Sequence, residues 1–127
     1  MSGITRGETA KLLGLAAAYD QRTIGEADVE AWHAVARIGR WHAAHAVRAL
    51  LEHYTTNTER IMPAHINRTL TQRRNDAART YRHQPAPPEV RGQQAEIEWE
   101  RTQVTAHIDT CLDRWAAGDH DTPGATQ

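Results

Sequence analysis

The sequence predicts an all-α fold, and three observations carry that expectation. Alanine is abundant and β-branched residues are scattered, a composition that favours helix over strand. Apolar residues recur at three- and four-residue steps through most of the chain. Helix starts and stops stand between those stretches: Thr5-Arg6-Gly7-Glu8, Gly25-Glu26, the run Thr55 to Thr58, Pro63, and Gln84 to Pro88. The expected architecture is a small helical bundle of about four helices, a Pro-rich hinge and one long C-terminal helix. In residues, it is a helical N-terminal domain at 1–83, a linker at 84–88, an acidic amphipathic helix at 89–117 and a polar tail at 118–127.

Each element has a physical reason. Thr5 and Glu8 form a capping box, in which the Thr hydroxyl takes the N3 amide and the Glu carboxylate reaches back. The first helix then runs to about Asp20, with Leu12, Leu15, Ala16 and Tyr19 on one side. The second starts at Gly25-Glu26 and continues to about Arg37. Glu26, Asp28 and Glu30 crowd its first turns, where the macrodipole favours negative charge. Its stripe is Val29, Trp32, Val35 and Ala36.

The third helix is expected from about Arg40 to Thr55, with Trp41, Ala44, Val47, Leu51 and Tyr54 in step and Leu50 beside them. Pro63 suits the first position of a fourth helix, where its fixed φ fits and its missing N–H is not needed. Met62, Ile66 and Leu70 are the inward residues of that helix, and beyond Thr71 it becomes polar on almost every side. Gln84-Pro85-Ala86-Pro87-Pro88 interrupts it, because prolines remove donors and favour extended backbone. Pro88 is then expected to open the fifth helix, with Val90, Ile97, Val104 and Cys111 recurring every seven residues and Ile108, Leu112 and Trp115 completing the stripe.

Composition narrows the function. The chain has 127 residues, enough for one domain with a modest core, and with no Phe its four Trp and three Tyr must supply the aromatic bulk. Cys111 is the only cysteine, which rules out an intramolecular disulfide framework and fits a reducing compartment. No run approaches the roughly 18 apolar residues of a membrane span, and no signal segment opens the sequence. The expected location is the cytoplasm, with no membrane partner.

Charge is divided unevenly. Residues 1–88 carry a formal charge of +4 and residues 89–127 carry −5. Such asymmetry suggests a basic contact surface and an acidic arm; the plainer alternative is two solvated helix faces of opposite bias.

No catalytic motif is present, and no cofactor is expected. There is no Gly-rich phosphate loop and no nucleophile elbow, and Glu52 and Glu59 are not marked as a working pair. Cys111 falls on an apolar stripe, where an inert thiol is expected. His42 and His45 share a helix, and His33, His53 and His65 lie on neighbouring elements. They lack the Cys pairs or His-Glu-x-x-His pattern of a zinc site, so no metal ligand is assigned.

The basic stretch is the more specific signal. Residues 60–82 hold six Arg against one acid, Asp76. Arg68, Arg73, Arg74, Arg79 and Arg82 are the candidate residues for binding nucleic acid or an acidic partner, because guanidinium groups make bidentate contacts to phosphate and carboxylate. The acidic fifth helix of the same chain is an equally good partner for them. Trp32, Trp41, Tyr19 and Tyr54 sit on stripes and are assigned to the core. Trp99 lies off the stripe among Glu96, Glu98 and Glu100 and reads as an interface anchor, together with Ile97 and Trp115.

Residues 5–75 resemble a known family. The matching residues are Thr9 and Leu12, Tyr19-Asp20, Asp28-Val29-Glu30-Ala31-Trp32, Ala46-Val47, His53-Tyr54, and Met62-Pro63-Ala64-His65-Ile66. In that order they look like small helical proteins of actinobacteria and their phages, related in pattern to the phage loaders and inhibitors of the replicative helicase. The resemblance implies a compact helical domain that delivers or blocks a hexameric DnaB-type helicase in phage or prophage DNA replication. It also implies a flexible C-terminal segment that engages the helicase. This chain departs there, since residues 88–117 read as an ordered helix.

The function expected from the sequence is therefore a non-enzymatic, helicase-loader-like adaptor. Two alternatives stay open: a DNA-binding regulator that uses residues 63–82, and a homodimeric interaction protein joined through the helix at 89–117.

Overall fold

In the computed structural model, which describes residues 3–118, the chain is all-α. The described residues form α1 (Arg6–Asp20), α2 (Glu26–Ile38), α3 (Ala43–Thr56), α4 (Pro63–Arg79) and α5 (Gln93–Ala116), with no strand among them. Four helices and a longer fifth match the expected architecture. The expected tail at 118–127 lies outside the described residues after Gly118.

The chain forms two compact units, Met1–Thr71 and Gln72–Gln127. The division falls inside α4, ahead of the Pro-rich segment at 84–88.

In the first unit α1 packs on both α2 and α3. The capping box forms: Glu8 N–H donates to Thr5 Oγ1 at 3.0 Å, and Thr5 N–H donates to Glu8 Oε1 at 2.8 Å. At α2 the Gly25 N–H donates to the Asp28 carboxylate at 2.8 Å, so one acid of that first turn is also a cap. The core holds Ile4, Leu12, Leu13, Ala16, Val29, Trp32, Ala36, Trp41, Ala46, Ala49, Leu50, Ile61, Ile66 and Leu70.

Several expectations about faces are corrected. Trp41 is buried, but it stands in the α2–α3 turn and not on α3. Arg40 adopts φ 57°, which keeps it out of a right-handed helix, and His42 is extended at φ −103° and ψ 144°, so α3 begins at Ala43. The buried face of α3 is His45, Ala46, Ala49 and Leu50, whereas Leu51 and Ala44 are exposed. Ile61, fully buried, takes the place expected of Met62, which is half exposed. Tyr19 is half exposed and stacks on Tyr54 with ring centroids 4.9 Å apart.

A polar network ties the two long connections of this unit together. Arg22 forks onto Asp20, with Nε–Oδ1 at 2.9 Å and Nη2–Oδ2 at 2.6 Å. The same Nη2 donates to the Ile61 carbonyl at 2.6 Å. The Tyr54 hydroxyl donates to Asp20 Oδ2 at 2.6 Å and accepts the Ile61 N–H at 2.9 Å. The Arg22 guanidinium also lies over the Trp32 ring, 5.3 Å from its centre. Hydrogen bonding from Arg22 holds the Asp20 carboxyl well below the usual carboxylate range, and Tyr54 lowers it further against the opposing effect of burial. Burial, then Asp20, raises the Tyr54 hydroxyl above its ordinary value.

In the second unit the end of α4 and α5 run antiparallel. Arg73 meets Trp115, Thr80 meets His107 and His83 meets Glu100, so partners descend α5 as the chain leaves α4. The expected start of α5 at Pro88 is corrected to Gln93. Val90 N–H turns back to the Pro87 carbonyl at 2.9 Å, and Gly92 takes φ 99°, which stops a helix from running through it. Val90 therefore falls outside the heptad read from the sequence. Leu112 and Trp115 are the buried residues of α5.

Candidate interaction surfaces

The five candidate arginines are divided between the two units and differ in exposure. Arg68 is exposed on α4 in the first unit, and the other four belong to the second. Arg73 is half-buried with its guanidinium 4.8 Å from the centre of the Trp115 ring. Arg74 is half-buried as well. Arg79 is exposed but paired with Asp76, Nη1–Oδ1 2.8 Å, one helical step away. Arg82 is exposed beyond the end of α4, so it does not share a helical face with Arg79 as the periodicity suggested.

The three proposed anchors separate in the same way. Trp115 is 4 % exposed and lies under Arg73, so it is a packing residue and not an accessible anchor. Trp99 is half-buried. Ile97 is 45 % exposed, and every residue from 93 to 98 is exposed around it. The first turns of α5 thus present Ile97 between Glu96 and Glu98, with Gln94 bonded to Glu98 along the helix at 3.1 Å.

The histidines have definite structural work. His53 Nε2 donates to the Glu59 carbonyl at 2.8 Å. His65 Nδ1 accepts the Met62 N–H at 2.8 Å, filling at N3 of α4 the role that Glu or Gln has in a capping box. The two rings lie 4.7 Å apart, and with Glu59 and Arg68 they line a polar pocket of about 310 Å³. In the second unit the Thr80 hydroxyl donates to the Ala77 carbonyl, so its oxygen accepts from His107 Nε2 at 2.7 Å. That nitrogen is then a donor towards Cys111 Sγ at 3.6 Å and cannot draw a proton from the thiol. Cys111 is half-buried, not enclosed as its stripe suggested. Among the described residues, no three His, Cys, Asp or Glu are grouped to hold a metal ion, and no helix is long and apolar enough to cross a membrane.

Two features escaped the sequence reading. The Asp20–Arg22–Tyr54–Ile61 network joins residues far apart in sequence, and its only local sign is an acid two residues before an arginine at a helix end. The exposed Ile38 at the end of α2, between Arg37 and Gly39, breaks no pattern that a sequence displays.

The fold and these surfaces define a small all-α protein. Comparison with protein-family models, with curated proteins and with solved structures finds no match to the chain.

Proposed function

We propose that this protein is a non-enzymatic adaptor that docks a protein partner on the first turns of α5. The observation that carries the reading is Ile97, a large apolar side chain 45 % exposed in a mostly polar, exposed stretch at 93–98 that holds only Ala95 as another apolar residue. An apolar residue set among polar and acidic side chains offers a centre to desolvate and a polar rim, the usual division of a protein interface. The half-buried Trp99 adjoins it in sequence. The resemblance of residues 5–75 to phage loaders of the replicative helicase supplies the partner: a hexameric DnaB-type helicase, met in the cytoplasm during phage or prophage DNA replication.

The test is calorimetric titration of the full chain into the replicative helicase, followed by co-elution. Saturable binding is expected, and Ile97→Asp with Trp99→Ala weakens it by about tenfold or more, the effect of losing a central anchor. Absence of both heat and co-elution sinks the reading. The DNA-binding alternative has less support, because Asp76 already pairs Arg79 and Trp115 already holds Arg73. The same titration with duplex DNA checks it, and so does its salt dependence.

A further inference from the structure

The bond that caps α4 fixes the protonation of the residue that makes it. The Met62 N–H donates to His65 Nδ1 at 2.8 Å. A backbone amide has only a proton to offer, so Nδ1 presents its lone pair and the proton of the ring sits on Nε2. A second proton, on Nδ1, would set two N–H donors against each other and break the bond.

The neighbouring imidazole is under no such constraint. His53 Nε2 faces the Glu59 carbonyl at 2.8 Å, and a carbonyl has only lone pairs, so that nitrogen is the donor. His53 can gain a proton on Nδ1 and keep this bond. The two rings lie 4.7 Å apart, so they repel once both are charged.

The charged ring has another partner within reach. Glu59 Oε2 stands 3.9 Å from His65 Nε2, too far for a hydrogen bond but close enough to attract an imidazolium. The other titratable side chains that line the same pocket are Glu52 from α3 and Arg68 from α4. Glu52 is paired with Arg48 along α3 at 3.1 Å. A proton on His65 therefore loses the Met62 amide and gains at the Glu59 carboxylate.

The residue before Met62 is held by different chemistry. The Ile61 carbonyl accepts from Arg22 Nη2 at 2.6 Å, and the Ile61 N–H donates to the Tyr54 hydroxyl at 2.9 Å. Guanidinium and phenol groups keep their charge throughout the range in which an imidazole changes its own. The Ile61 and Ile66 side chains are fully buried on either side of the cap, whereas Met62 is half exposed. Loosening that begins at His65 is thus bounded by two anchored residues.

We infer that His65 is an acid-sensitive latch on the first turn of α4: uptake of a proton at Nδ1 breaks the bond to Met62 and frees that turn, while Ile61 stays clamped. Imidazole is the side chain that ordinarily changes charge between about pH 5 and 8, so the latch works within that window.

Amide hydrogen exchange of the full chain at about pH 8 and about pH 5 tests this. Rates are expressed as protection factors, which removes the intrinsic pH dependence of exchange. Protection of the Met62 amide should fall by about tenfold at the lower pH, the size of one net hydrogen bond. The Ile61 amide is the internal control and should keep its protection. His65→Gln places an acceptor that does not titrate at the same position, and Met62 should then be protected equally at both pH values. Nitrogen-15 spectra of the imidazoles at the higher pH should show the His65 proton on Nε2. The inference is overturned by a His65 proton on Nδ1 at the higher pH, or by Met62 protection that is the same at both. It is overturned equally by a fall that persists in His65→Gln, or by Ile61 losing protection together with Met62.

Discussion

The Tyr54 hydroxyl donates to Asp20 Oδ2 at 2.6 Å while accepting the Ile61 amide at 2.9 Å, so one phenol oxygen joins the end of α1 to the segment that launches α4. The oxygen is both donor and acceptor, and phenylalanine can be neither. Tyr54→Phe removes both bonds and leaves the Ile61 N–H unsatisfied. The expected cost is about 1–3 kcal/mol, read from urea unfolding. A cycle with Asp20→Asn should show clear coupling, because the two residues share one network. Additive effects would contradict the geometry.

Asp20 also couples the stability of the fold to pH on the acid side. Its carboxyl titrates below the unfolded value of 3.8, held down first by Arg22 and then by Tyr54. A depressed folded pKa stabilises fully above the unfolded pKa, and the contribution is lost as pH falls below 3.8 towards the folded pKa. Unfolding midpoints measured from pH 6 downward should therefore drop steeply there, and Asp20→Asn should flatten that limb. Tyr54 acts in the opposite sense at high pH. Its raised folded pKa keeps the contribution below pH 10.0 and releases it as pH climbs past that value.

Glycine substitutions divide by surroundings. At Gly39 a Cβ would lie 2.3 Å from Asn67 Oδ1 and 2.7 Å from Trp41 Nε1, the two atoms of one hydrogen bond. Gly39→Ala should cost about 2 kcal/mol or more by forcing those groups apart. Gly14 stands inside α1 with nothing within 4 Å of such a Cβ. Gly14→Ala should stabilise by about 0.5–1 kcal/mol through helix propensity. Thermal melts of both variants check the contrast in sign.

His65 caps α4 through a nitrogen that accepts the Met62 N–H. His65→Ala should destabilise by about 0.5–2 kcal/mol, the range of a lost helix cap. His65→Gln should recover most of that loss, since a glutamine oxygen at N3 can accept the same bond. Equal loss in both variants would assign the effect to ring packing against His53 instead.

Much of the fold was legible because it is written locally. Thr5 with Glu8, the acids around Asp28, and Pro63 each act within one turn, and each marks a helix start in the structure. The errors come where neighbours distant in sequence decide. The burial of Ala46 and Ala49 on α3, and of Ile61 in place of Met62, is set by tertiary packing, which local spacing does not carry. The basic stretch was visible as composition. That Asp76 and Trp115 engage Arg79 and Arg73 depends on side-chain positions that spacing does not supply. Ile97 kept its exposed place because no apolar residue stands within three positions of it except Ala95 and Trp99.

The antiparallel run of α4 and α5 has a consequence for any attempt to cut the chain at its prolines. The proline segment looks like a seam, but it is the connection within a hairpin. Severing at residue 86 would take the Trp115 ring from Arg73, the His107 donor from Thr80 and the Glu100 carboxylate from His83 in one stroke. A fragment ending there would expose a raw half-hairpin, and any new stickiness it showed would be made by the scissors. Questions about α5 are better put to point variants of the whole chain.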